Sequence, residues 1–370
     1  MVRLFWVFFS LADKLRPEVH QAVDKAHRAG IEVVMITGDN SLTAQTIGKE
    51  AGIIQKNEDI LEGSDLDHYT DEELLKILPK VRIFARTTPE HKHRLVRLYQ
   101  KLGHVVTVTG DGVNDSLALK QADVGVAMGG KGTDVAKETA DIILTDDNFA
   151  TLINAIEEGR NIFINIKKAI KYLLSTNLAE VLVVITTLFL TQSIALTALQ
   201  ILYINLISDG VPALALAFTP SSSEVMSRPA LKKNNLVNKN DLFFIFLIGA
   251  FANLLTLMGF LIGSTSHDIR TARSLSFSVL IFIQPLVALH LWSVRQSLSE
   301  SLSLLRRPLF AMAFFLPFAL QPIILYSKTI NDLFEIKPLG GGFFLIAILL
   351  ASLVFLPFEV RKIQKYVASL

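Results

Sequence analysis

Two carboxylates occur inside long apolar stretches of the sequence, where acidic side chains are rare. Glu180 and Asp209 are the only acidic residues that lie well inside these stretches. An acidic residue at the centre of a membrane-spanning helix costs roughly 2.5–3.5 kcal/mol on insertion scales, so both are functional candidates. Asn177 lies three residues before Glu180, and Asn205 and Ser208 lie four residues and one residue before Asp209. Helical spacing places each group on one face of its helix.

These side chains form an all-oxygen set of candidate ligands. Oxygen donors suit a hard cation such as Ca²⁺, and Mn²⁺ and Na⁺ also accept them. Pro212, just after Asp209, has no backbone N–H and frees an earlier carbonyl that can face a bound ion. Hydrogen bonding between helices is the alternative role, but two acidic residues on adjacent spans favour the ion site. Gln284, which precedes Pro285, is a further candidate ligand, and a helix–helix contact explains it equally well.

A second group of residues with chemical potential follows strand-like runs in the first half of the chain. The run Thr109–Asp115, with the sequence TGDGVND, ends one strand and opens a helix. Asp111 and Asp115 flank its glycine turn, and paired carboxylates of this kind predict a Mg²⁺ site.

An earlier strand ends in Thr37-Gly38-Asp39, where the Thr37 hydroxyl and the Gly38 amide can hold a phosphoryl oxygen. Lys92 lies in the first turn of a helix from which it can reach the same phosphate. Neutralisation of phosphate charge by Mg²⁺ and a lysine is what phosphoryl transfer requires. Taken alone, Thr-Gly-Asp is commonly a turn and Lys92 is commonly part of a solvated helix face. The seven-residue run is the specific signal.

The two halves of the chain supply different elements to position these residues. Residues 1–168 carry 21 Lys or Arg and 25 Asp or Glu, whereas residues 169–370 carry 15 and 9. The resulting net charges of −4 and +6 predict an acidic soluble domain followed by a membrane domain. The absence of cysteine excludes disulfides and thiolate chemistry. Neither half has the clustered basic character of nucleic-acid binding, so no nucleic-acid partner is expected.

Apolar runs alternate with amphipathic stretches in the soluble half. The predicted strands are Ile31–Thr37, Val81–Ala85, Val105–Thr109, Val124–Met128 and Ile142–Thr145. The predicted helices are 17–29, 41–51, 71–78, 89–102, 114–121 and 132–139. This alternation implies a parallel sheet with helices on both faces, where ligands bind beyond the carboxyl ends of the strands. The apolar start, Met1–Ala12, is interpreted as a buried strand because no small-x-small cleavage site follows it.

The second half contains six segments that are long enough to cross a membrane. Crossing a hydrocarbon core of roughly 30 Å takes about 20 apolar residues in a helix. The segments are about 169–191, 195–218, 242–263, 275–294, 309–327 and 341–359. The flanks 219–241, 295–308 and 360–370 contain ten Lys or Arg residues, against four in the opposite flanks. The positive-inside rule therefore predicts that these richer flanks, the soluble half and the C-terminus are cytoplasmic.

Further motifs complete a pattern. They are Asp13-Lys14-Leu15-Arg16-Pro17, Met35-Ile36-Thr37-Gly38-Asp39, Phe84–Lys92 (FARTTPEHK), Val124–Gly129 (VGVAMG) and Gly132–Ala136 (GTDVA). With TGDGVND and the six spans, they make the chain resemble the P-type cation-transporting ATPases of the calcium-pump-like P2 subgroup. The resemblance covers residues 11–370, from the middle of the phosphorylation domain to the C-terminus.

This resemblance implies an incomplete α/β haloacid-dehalogenase-like (Rossmannoid) phosphorylation domain over residues 1–150. A cytoplasmic stalk over 151–168 and an all-α membrane domain of six transmembrane helices over 169–370 would follow. The phosphorylation domain would be cytoplasmic, in a multi-pass protein of the plasma membrane or an equivalent one.

The resemblance also implies roles for individual residues. Asp111 would bind Mg²⁺, with Asp115 and Asn114 in support, and a phosphorylated aspartate would contact Thr37 and Lys92. The phosphate- or nucleotide-binding set would comprise Thr37, Gly38, Asp39, Lys92, Asn114, Asp13 and Arg16. The transported-cation site would comprise Asn177, Glu180, Asn205, Ser208 and Asp209, with Gln284 as a further candidate. Because Gln284 stands where relatives that bind two calcium ions carry a glutamate, one ion per cycle is expected.

The expected function is ATP-driven transport of a cation, Ca²⁺ above Mn²⁺ or Na⁺, with Mg²⁺ as cofactor and the lipid bilayer as surroundings. The sequence has no Asp-Lys-Thr-Gly-Thr motif, which carries the phosphorylated aspartate in this family. This chain alone, as the C-terminal part of a pump, is therefore expected not to hydrolyse ATP or transport ions. One alternative is a membrane-anchored dehalogenase-like phosphatase that uses Asp13, although Asp13-Lys14-Leu15 lacks the usual second aspartate. The other is a membrane subunit that complements a separate N-terminal half.

Overall fold

The computed structural model describes residues 14–54, 60–220, 225–227, 229, 236–292 and 302–358. The chain divides into two compact units. An α/β unit comprises Met1–Arg160 and Ser223–Asn234, and a helical unit comprises Asn161–Ser222 and Asn235–Leu370. The predicted domain limits at residues 150 and 168 lie on either side of the division at Arg160 and remain predictions.

The α/β unit alternates strands and helices. Its strands are β1 (Met35–Ile36), β2 (Ile60–Glu62), β3 (Ile83–Ala85), β4 (Thr107–Gly110), β5 (Val124–Met128) and β6 (Ile142–Leu144). Its helices are α1 (Glu18–Arg28), α2 (Ser41–Glu50), α3 (Gly63–His68), α4 (Asp71–Ile77), α5 (Pro89–Lys101), α6 (Ser116–Gln121) and α7 (Asp134–Thr139). The strand–helix alternation read from the sequence is therefore confirmed.

The strands form two small parallel sheets. One has the order β1-β3-β2, in which Ile36 pairs with Phe84 and Leu61 also pairs with Phe84. The other has the order β4-β5-β6, in which Thr109 pairs with Val126. The parallel pairing was predicted, but a single sheet was expected and two sheets are found among the described residues.

Some elements differ from the sequence-based predictions. Strand β2 and helix α3 were not predicted, because β2 is only three residues long and α3 is mostly polar. The predicted strand over Met1–Ala12 lies outside the described residues. Strand β1 is shorter than the predicted Ile31–Thr37, since only Met35 and Ile36 pair with β3.

Side-chain caps fix where the helices of the α/β unit begin. The Asn40 side chain accepts a hydrogen bond from the Thr43 amide at the start of α2. Thr88 caps α5 by accepting from the His91 amide, and Pro89 occupies the first helical position, where no N–H is needed. The cap at Thr88 consequently places Lys92 in the first turn of α5.

The core of the first sheet is built from fully buried apolar side chains. Phe84 on β3 is 0% exposed and packs in one cluster with Leu74 from α4 and Leu95 from α5. Burying a side chain of this size contributes about 1.5–3 kcal/mol relative to leaving it exposed. This packing holds α5, which carries Lys92, beside the strand that pairs with β1.

The described residues contain six helices that are long and apolar enough to cross a membrane. They are Phe149–Thr191, Ala198–Ala217, Lys239–Ser264, Ile269–Trp292, Pro308–Tyr326 and Gly341–Phe358. The first is helix α8, which runs without interruption over the residues predicted as stalk, 151–168, and as first span, 169–191. The second is divided into α9 (Ala198–Tyr203), a π-helical segment (Ile204–Asp209) and α10 (Gly210–Ala217).

Helix α12 (Ile269–Trp292) is the central element of the helical unit. Nearly all of its apolar window is buried by the other helices, whereas the neighbouring α11 (Lys239–Ser264) is about half covered. Gly263 of α11 lies so close to Ala272 that a side-chain carbon there would come within 2.6 Å of the Ala272 Cα atom. Small residues at such contacts let helix backbones approach closely.

Candidate functional site

The carboxyl end of β1 holds Thr37 firmly. The Thr37 amide donates to the Phe84 carbonyl at 2.8 Å, and its own carbonyl accepts from the Thr87 amide and the Thr87 hydroxyl, both at 3.0 Å. The Thr37 hydroxyl accepts a hydrogen bond from the Asp39 amide at 3.1 Å. Gly38 and Asp39 follow on the exposed side of this turn.

The carboxyl end of β4 brings two predicted site residues together. The Lys92 ammonium lies 2.6 Å from Asp115 Oδ1, and Asp115 Oδ2 accepts from the Gly112 amide at 3.3 Å. Asp115 packs on Gly110, where an added Cβ would come within 2.8 Å of the Asp115 Cγ atom. The glycine is therefore required for the Asp115 carboxylate to fold back over the end of β4.

The other predicted residues of the α/β unit lie in different surroundings. Asp111 and Asn114 are exposed, and the Asp111 carboxylate makes no hydrogen bond with the described residues. Arg16 donates to the Asp146 carbonyl at 3.4 Å and has no contact with the Thr37 turn among the residues described. Asp13 lies outside the described residues.

One carboxylate of the α/β unit was not predicted to matter. Asp147 accepts hydrogen bonds from the amides of Gly130 and Lys131, both at 2.9 Å, and so anchors the loop after β5. These backbone donors, that of Gly130 foremost, lower the pKa of Asp147 below its usual value. No local pattern predicts this contact, because Asp147 is sixteen or more residues away from the loop that it holds.

The Arg94 guanidinium of helix α5 also anchors neighbouring segments. Arg94 donates to Asp71 at 2.8 Å and to the carbonyls of Leu66 and Tyr69. The hydrogen bond from Arg94 lowers the pKa of Asp71. These contacts fix α5 against α3 and α4, and with it the position of Lys92.

In the helical unit, the predicted ligands of the second span lie on the π-helical segment. Asn205, Ser208 and Asp209 all fall within Ile204–Asp209, immediately before Gly210 and Pro212. The loosened helix that Pro212 predicted is thus present as a wide turn. Such π-helical turns occur frequently at functional sites.

Asp209 is fully buried and both of its carboxylate oxygens are engaged. Tyr172 Oη donates to Oδ1 at 3.0 Å, and Thr176 Oγ1 donates to Oδ2 at 2.7 Å. Both donors belong to α8. Neither was predicted, although their spacing with Glu180 (residues 172, 176 and 180) is the signal of one helix face.

Glu180 is 4% exposed and lies one turn beyond Thr176 on that face, which is about 6 Å along the helix axis. Its Oε2 accepts from Asn205 Nδ2 at 3.3 Å and its Oε1 accepts from Gln284 Nε2 at 3.4 Å. The predicted further ligand Gln284 is therefore next to Glu180. Its amide oxygen is buried and has no hydrogen-bond partner in the described part of the chain.

Ser208 and Asn177 complete the predicted set. Ser208 is fully buried, and its hydroxyl donates to the Ile281 carbonyl at 3.4 Å. Asn177 is half-buried, and its amide makes no hydrogen bond with the described residues. No group of three or more acidic or histidine side chains suited to a metal ion occurs in the ranges that the structure describes. Any cation here would be held by two carboxylates and neutral oxygens.

Known protein families match both units. The family described as cation transporting ATPase, C-terminus, matches residues 193–364, and the haloacid dehalogenase-like hydrolase family matches residues 2–123. The second match agrees with the parallel strands of the α/β unit and with the motifs at the carboxyl ends of β1 and β4, which are predicted to bind phosphate and Mg²⁺.

Relatives resemble most of the chain. An endoplasmic reticulum calcium ATPase of Aspergillus fumigatus is 39% identical over 89% of this chain and 38% of its own length. A calcium-transporting ATPase of Saccharomyces cerevisiae is 37% identical over 97% of this chain and 38% of its own length. One from Bacillus subtilis is 40% identical over 78% of this chain and 32% of its own length. The chain thus spans well under half the length of the curated relatives it matches.

These matches and the six apolar helices make the chain a multi-pass membrane protein with a haloacid-dehalogenase-like domain. The C-terminal family model and the calcium-transporting relatives describe the same kind of protein. The chain belongs to the P-type cation-transporting ATPases and corresponds to a portion of them that includes the C-terminal region.

Proposed function

We propose that this chain carries the cation-binding site and part of the phosphate machinery of an ATP-driven Ca²⁺ pump. The observation that carries the proposal is the surroundings of Glu180 and Asp209. Both are buried, and every hydrogen bond that they receive from the described residues comes from a neutral donor. A buried carboxylate without a countercharge is costly, and a bound cation relieves that cost.

The charge of the site favours a divalent ion. Two carboxylates balance the two positive charges of Ca²⁺ or Mn²⁺ and would leave Na⁺ overcompensated. The unpartnered oxygen of Gln284 and the amide of Asn177 supply neutral oxygen ligands, which Ca²⁺ accepts in flexible geometry. Asn205 and Ser208, on the π-helical segment, would complete the set. The names of the relatives support Ca²⁺ as the transported ion.

The α/β unit would serve the phosphate. The exposed Asp111 carboxylate, free of hydrogen bonds to the described residues, fits a Mg²⁺ ligand. When bound, Mg²⁺ would neutralise phosphate charge. Lys92, held by Asp115 at the end of β4, would hold a phosphoryl oxygen, as would the turn at Thr37. Gly38, Asp39 and Asn114 lie exposed beside these groups and are proposed to face the nucleotide, whereas Arg16 is proposed to act near a domain hinge.

The nucleophile must come from elsewhere, because no Asp-Lys-Thr-Gly-Thr motif is present in the sequence. We propose that an N-terminal portion, on the same or a separate polypeptide, supplies the phosphorylated aspartate on the cytoplasmic side. The purified 370-residue chain is accordingly expected to form no phosphoenzyme from labelled ATP. Formation of one would overturn this division of labour.

Equilibrium binding of radiolabelled Ca²⁺ to the purified chain in lipid nanodiscs tests the cation site. Glu180→Gln and Asp209→Asn keep the side-chain shape and remove one charge each, so each is expected to weaken binding at least about 100-fold. The matched control is Asp332→Asn, which removes an exposed carboxylate of the same unit that pairs with Arg270. It is expected to bind as the unaltered chain does. Equal Ca²⁺ affinity in all four proteins would refute the proposed site, and competition by Mn²⁺ and Na⁺ ranks the ions.

A further inference from the structure

Tyr172 is a buried hydroxyl with two acceptors and one proton. It is 0% exposed, and its Oη lies 3.0 Å from Asp209 Oδ1 and 3.3 Å from the Ser208 carbonyl oxygen. A phenol has a single O–H, so it cannot donate fully to both groups at once. The shorter distance and the charge of the acceptor favour the Asp209 carboxylate.

The second acceptor is available because of a proline. In an α-helix, the Ser208 carbonyl would accept from the amide four residues later, but that residue is Pro212, which has no N–H. The carbonyl therefore depends on another donor, since buried backbone oxygens are rarely left unpaired. Tyr172 is the side chain found within hydrogen-bonding distance of it in the described structure.

A second proline repeats this arrangement on the next helix. Pro285 of α12 has no N–H for the Ile281 carbonyl, and Ser208 Oγ donates to that oxygen at 3.4 Å. The Ser208 carbonyl thus lies within hydrogen-bonding distance of Tyr172, and the Ser208 hydroxyl donates to the next helix. A line of contacts connects α8, the π-helical segment and α12 beside Gln284.

We propose that Tyr172 is a positioning residue of the cation site, whose hydroxyl moves from the Asp209 carboxylate to the Ser208 carbonyl when Asp209 binds a cation. The inference rests on the proposed function of Asp209 as a cation ligand. A cation draws on the same lone pairs that Tyr172 now occupies. The proton then turns to the carbonyl that Pro212 leaves free, and this new bond stiffens the π-helical segment that carries Asn205 and Ser208.

The proposed movement of the hydroxyl predicts that Tyr172→Phe raises the Ca²⁺ affinity instead of lowering it. A hydrogen bond to a carboxylate is stronger than one to a neutral carbonyl, so Tyr172 stabilises the protein more before cation binding than after it. Tyr172→Phe removes both bonds and is expected to tighten Ca²⁺ binding about three- to tenfold. A side chain with a purely structural role would leave the affinity unchanged or weaken it.

The chain offers a matched control. Tyr203→Phe removes the buried hydroxyl of another, half-buried tyrosine, and this hydroxyl has no hydrogen-bond partner among the described residues. Binding of radiolabelled Ca²⁺ to the full chain in nanodiscs compares the three proteins. Tighter binding by Tyr172→Phe, with Tyr203→Phe unchanged, supports the exchange, whereas equal or weaker binding by Tyr172→Phe overturns it.

A second measurement tests the movement of the Tyr172 hydroxyl without Ca²⁺. If the chain binds no Ca²⁺, that result refutes the proposed function, and this measurement still tests the movement. Labelling serine carbonyls with ¹³C and aspartate amides with ¹⁵N selects the Ser208–Asp209 peptide in solid-state NMR, besides Ser64–Asp65. Asp209→Asn, with labelled asparagine, removes the charge without a cation. Its Ser208 carbonyl signal is expected to move downfield, as a stronger hydrogen bond requires, and Tyr172→Phe/Asp209→Asn should lack this movement. No movement in Asp209→Asn, or the same movement in both variants, would refute the exchange.

Discussion

The α/β unit and the helical unit each bury carboxylates, but they balance the charge differently. Asp115 lies 2.6 Å from the ammonium of Lys92, a full positive charge fixed on the neighbouring helix. Asp209 and Glu180 receive hydrogen bonds from hydroxyls and amides only, within the part of the chain described. Asp115 is neutralised by a lysine of the chain, whereas Glu180 and Asp209 are proposed to share a bound cation.

The difference follows from the surroundings. At the end of β4 the lysine can reach water on one side, so a permanent ion pair costs little desolvation. Between helices in a membrane, a fixed lysine would neutralise the carboxylate for good and exclude a transported ion. Neutral donors orient Asp209 and Glu180 without competing for the site by charge.

The largest expected effect comes from placing a fixed positive charge beside Glu180, as Lys92 is placed beside Asp115. Gln284→Lys places an ammonium next to Glu180, where the Gln284 amide now lies at 3.4 Å. A positive charge at roughly 4 Å from the bound ion repels it by several kcal/mol even at an effective dielectric constant of 20. Ca²⁺ binding is expected to fall at least about 100-fold.

Gln284→Met is the control, because it removes the amide oxygen without adding charge and should weaken Ca²⁺ binding only about tenfold or less. Isothermal titration of both variants with CaCl₂ distinguishes them. Equal binding by Gln284→Lys and Gln284→Met would show that charge balance does not govern the site.

The reverse change strips the α/β site of its cation. Lys92→Met leaves Asp115, whose side chain is 12% exposed, without a countercharge. The variant is expected to lose about 1.5–3 kcal/mol of stability in the α/β unit, because a hydrogen bond between charged groups is lost. Hydrogen exchange of the α5 amides under native conditions measures the loss.

The double variant Lys92→Met/Asp115→Asn leaves no charge behind and should recover part of this stability. Lys131→Met, at an exposed position, should change nothing. If the double variant were less stable than Lys92→Met, the ion pair would not be the cause of the loss.

A smaller effect is expected from the backbone that supports Asp115. Gly110→Ala forces a methyl group against the Asp115 side chain and should cost roughly 1–3 kcal/mol, as overpacking does. Gly159→Ala is the matched control, because its new methyl group meets no atom within 4 Å and lies inside helix α8. There alanine should stabilise by about 0.5–1 kcal/mol. Thermal unfolding of both variants shows whether each one is stabilised or destabilised. A change in the same direction for both would contradict the close contact at Gly110.

The smallest effect concerns Asp147, a carboxylate that is stabilised mainly by hydrogen bonds from backbone amides. The pKa of Asp147 is lower in the folded protein than in the unfolded chain, because the Gly130 amide foremost binds its ionised form. Its stabilisation is therefore present above about pH 4 and is lost as the pH falls through the lowered pKa.

Asp147→Asn should unfold at a lower temperature than the unaltered chain at pH 7, and the gap should close towards pH 3. Glu158→Gln, at an exposed position, should show no such gap. If the difference in unfolding temperature did not depend on pH, the effect of Asp147 would come from the shape of its side chain and not from its charge.

Much of this architecture could be predicted from the residues. The apolar length of the six spans, the strand–helix alternation and the motifs at Thr37–Asp39 and Thr109–Asp115 follow from local pattern, since hydrophobic period and glycine turns act over a few residues. Lys92 was predicted to reach a phosphate held at Thr37, and the structure places its ammonium 2.6 Å from Asp115 at the end of β4. The short strand β2 and the separation into two sheets were not predicted. Whether a segment of three residues forms a strand depends on the neighbouring strand with which it pairs, and the local sequence does not specify that strand.

The sequence by itself determined which oxygen-bearing groups the membrane helices carry and that Pro212 and Pro285 each withhold one backbone donor. Only the tertiary structure decided which groups meet. Tyr172 and Thr176 reach Asp209, Gln284 reaches Glu180, and Asp147 reaches the loop after β5. Helical spacing fixes which side chains share a face, but the partner of that face depends on how separate helices pack. That packing is set by close contacts such as Gly263 on Ala272, between residues of different helices, which no local pattern contains.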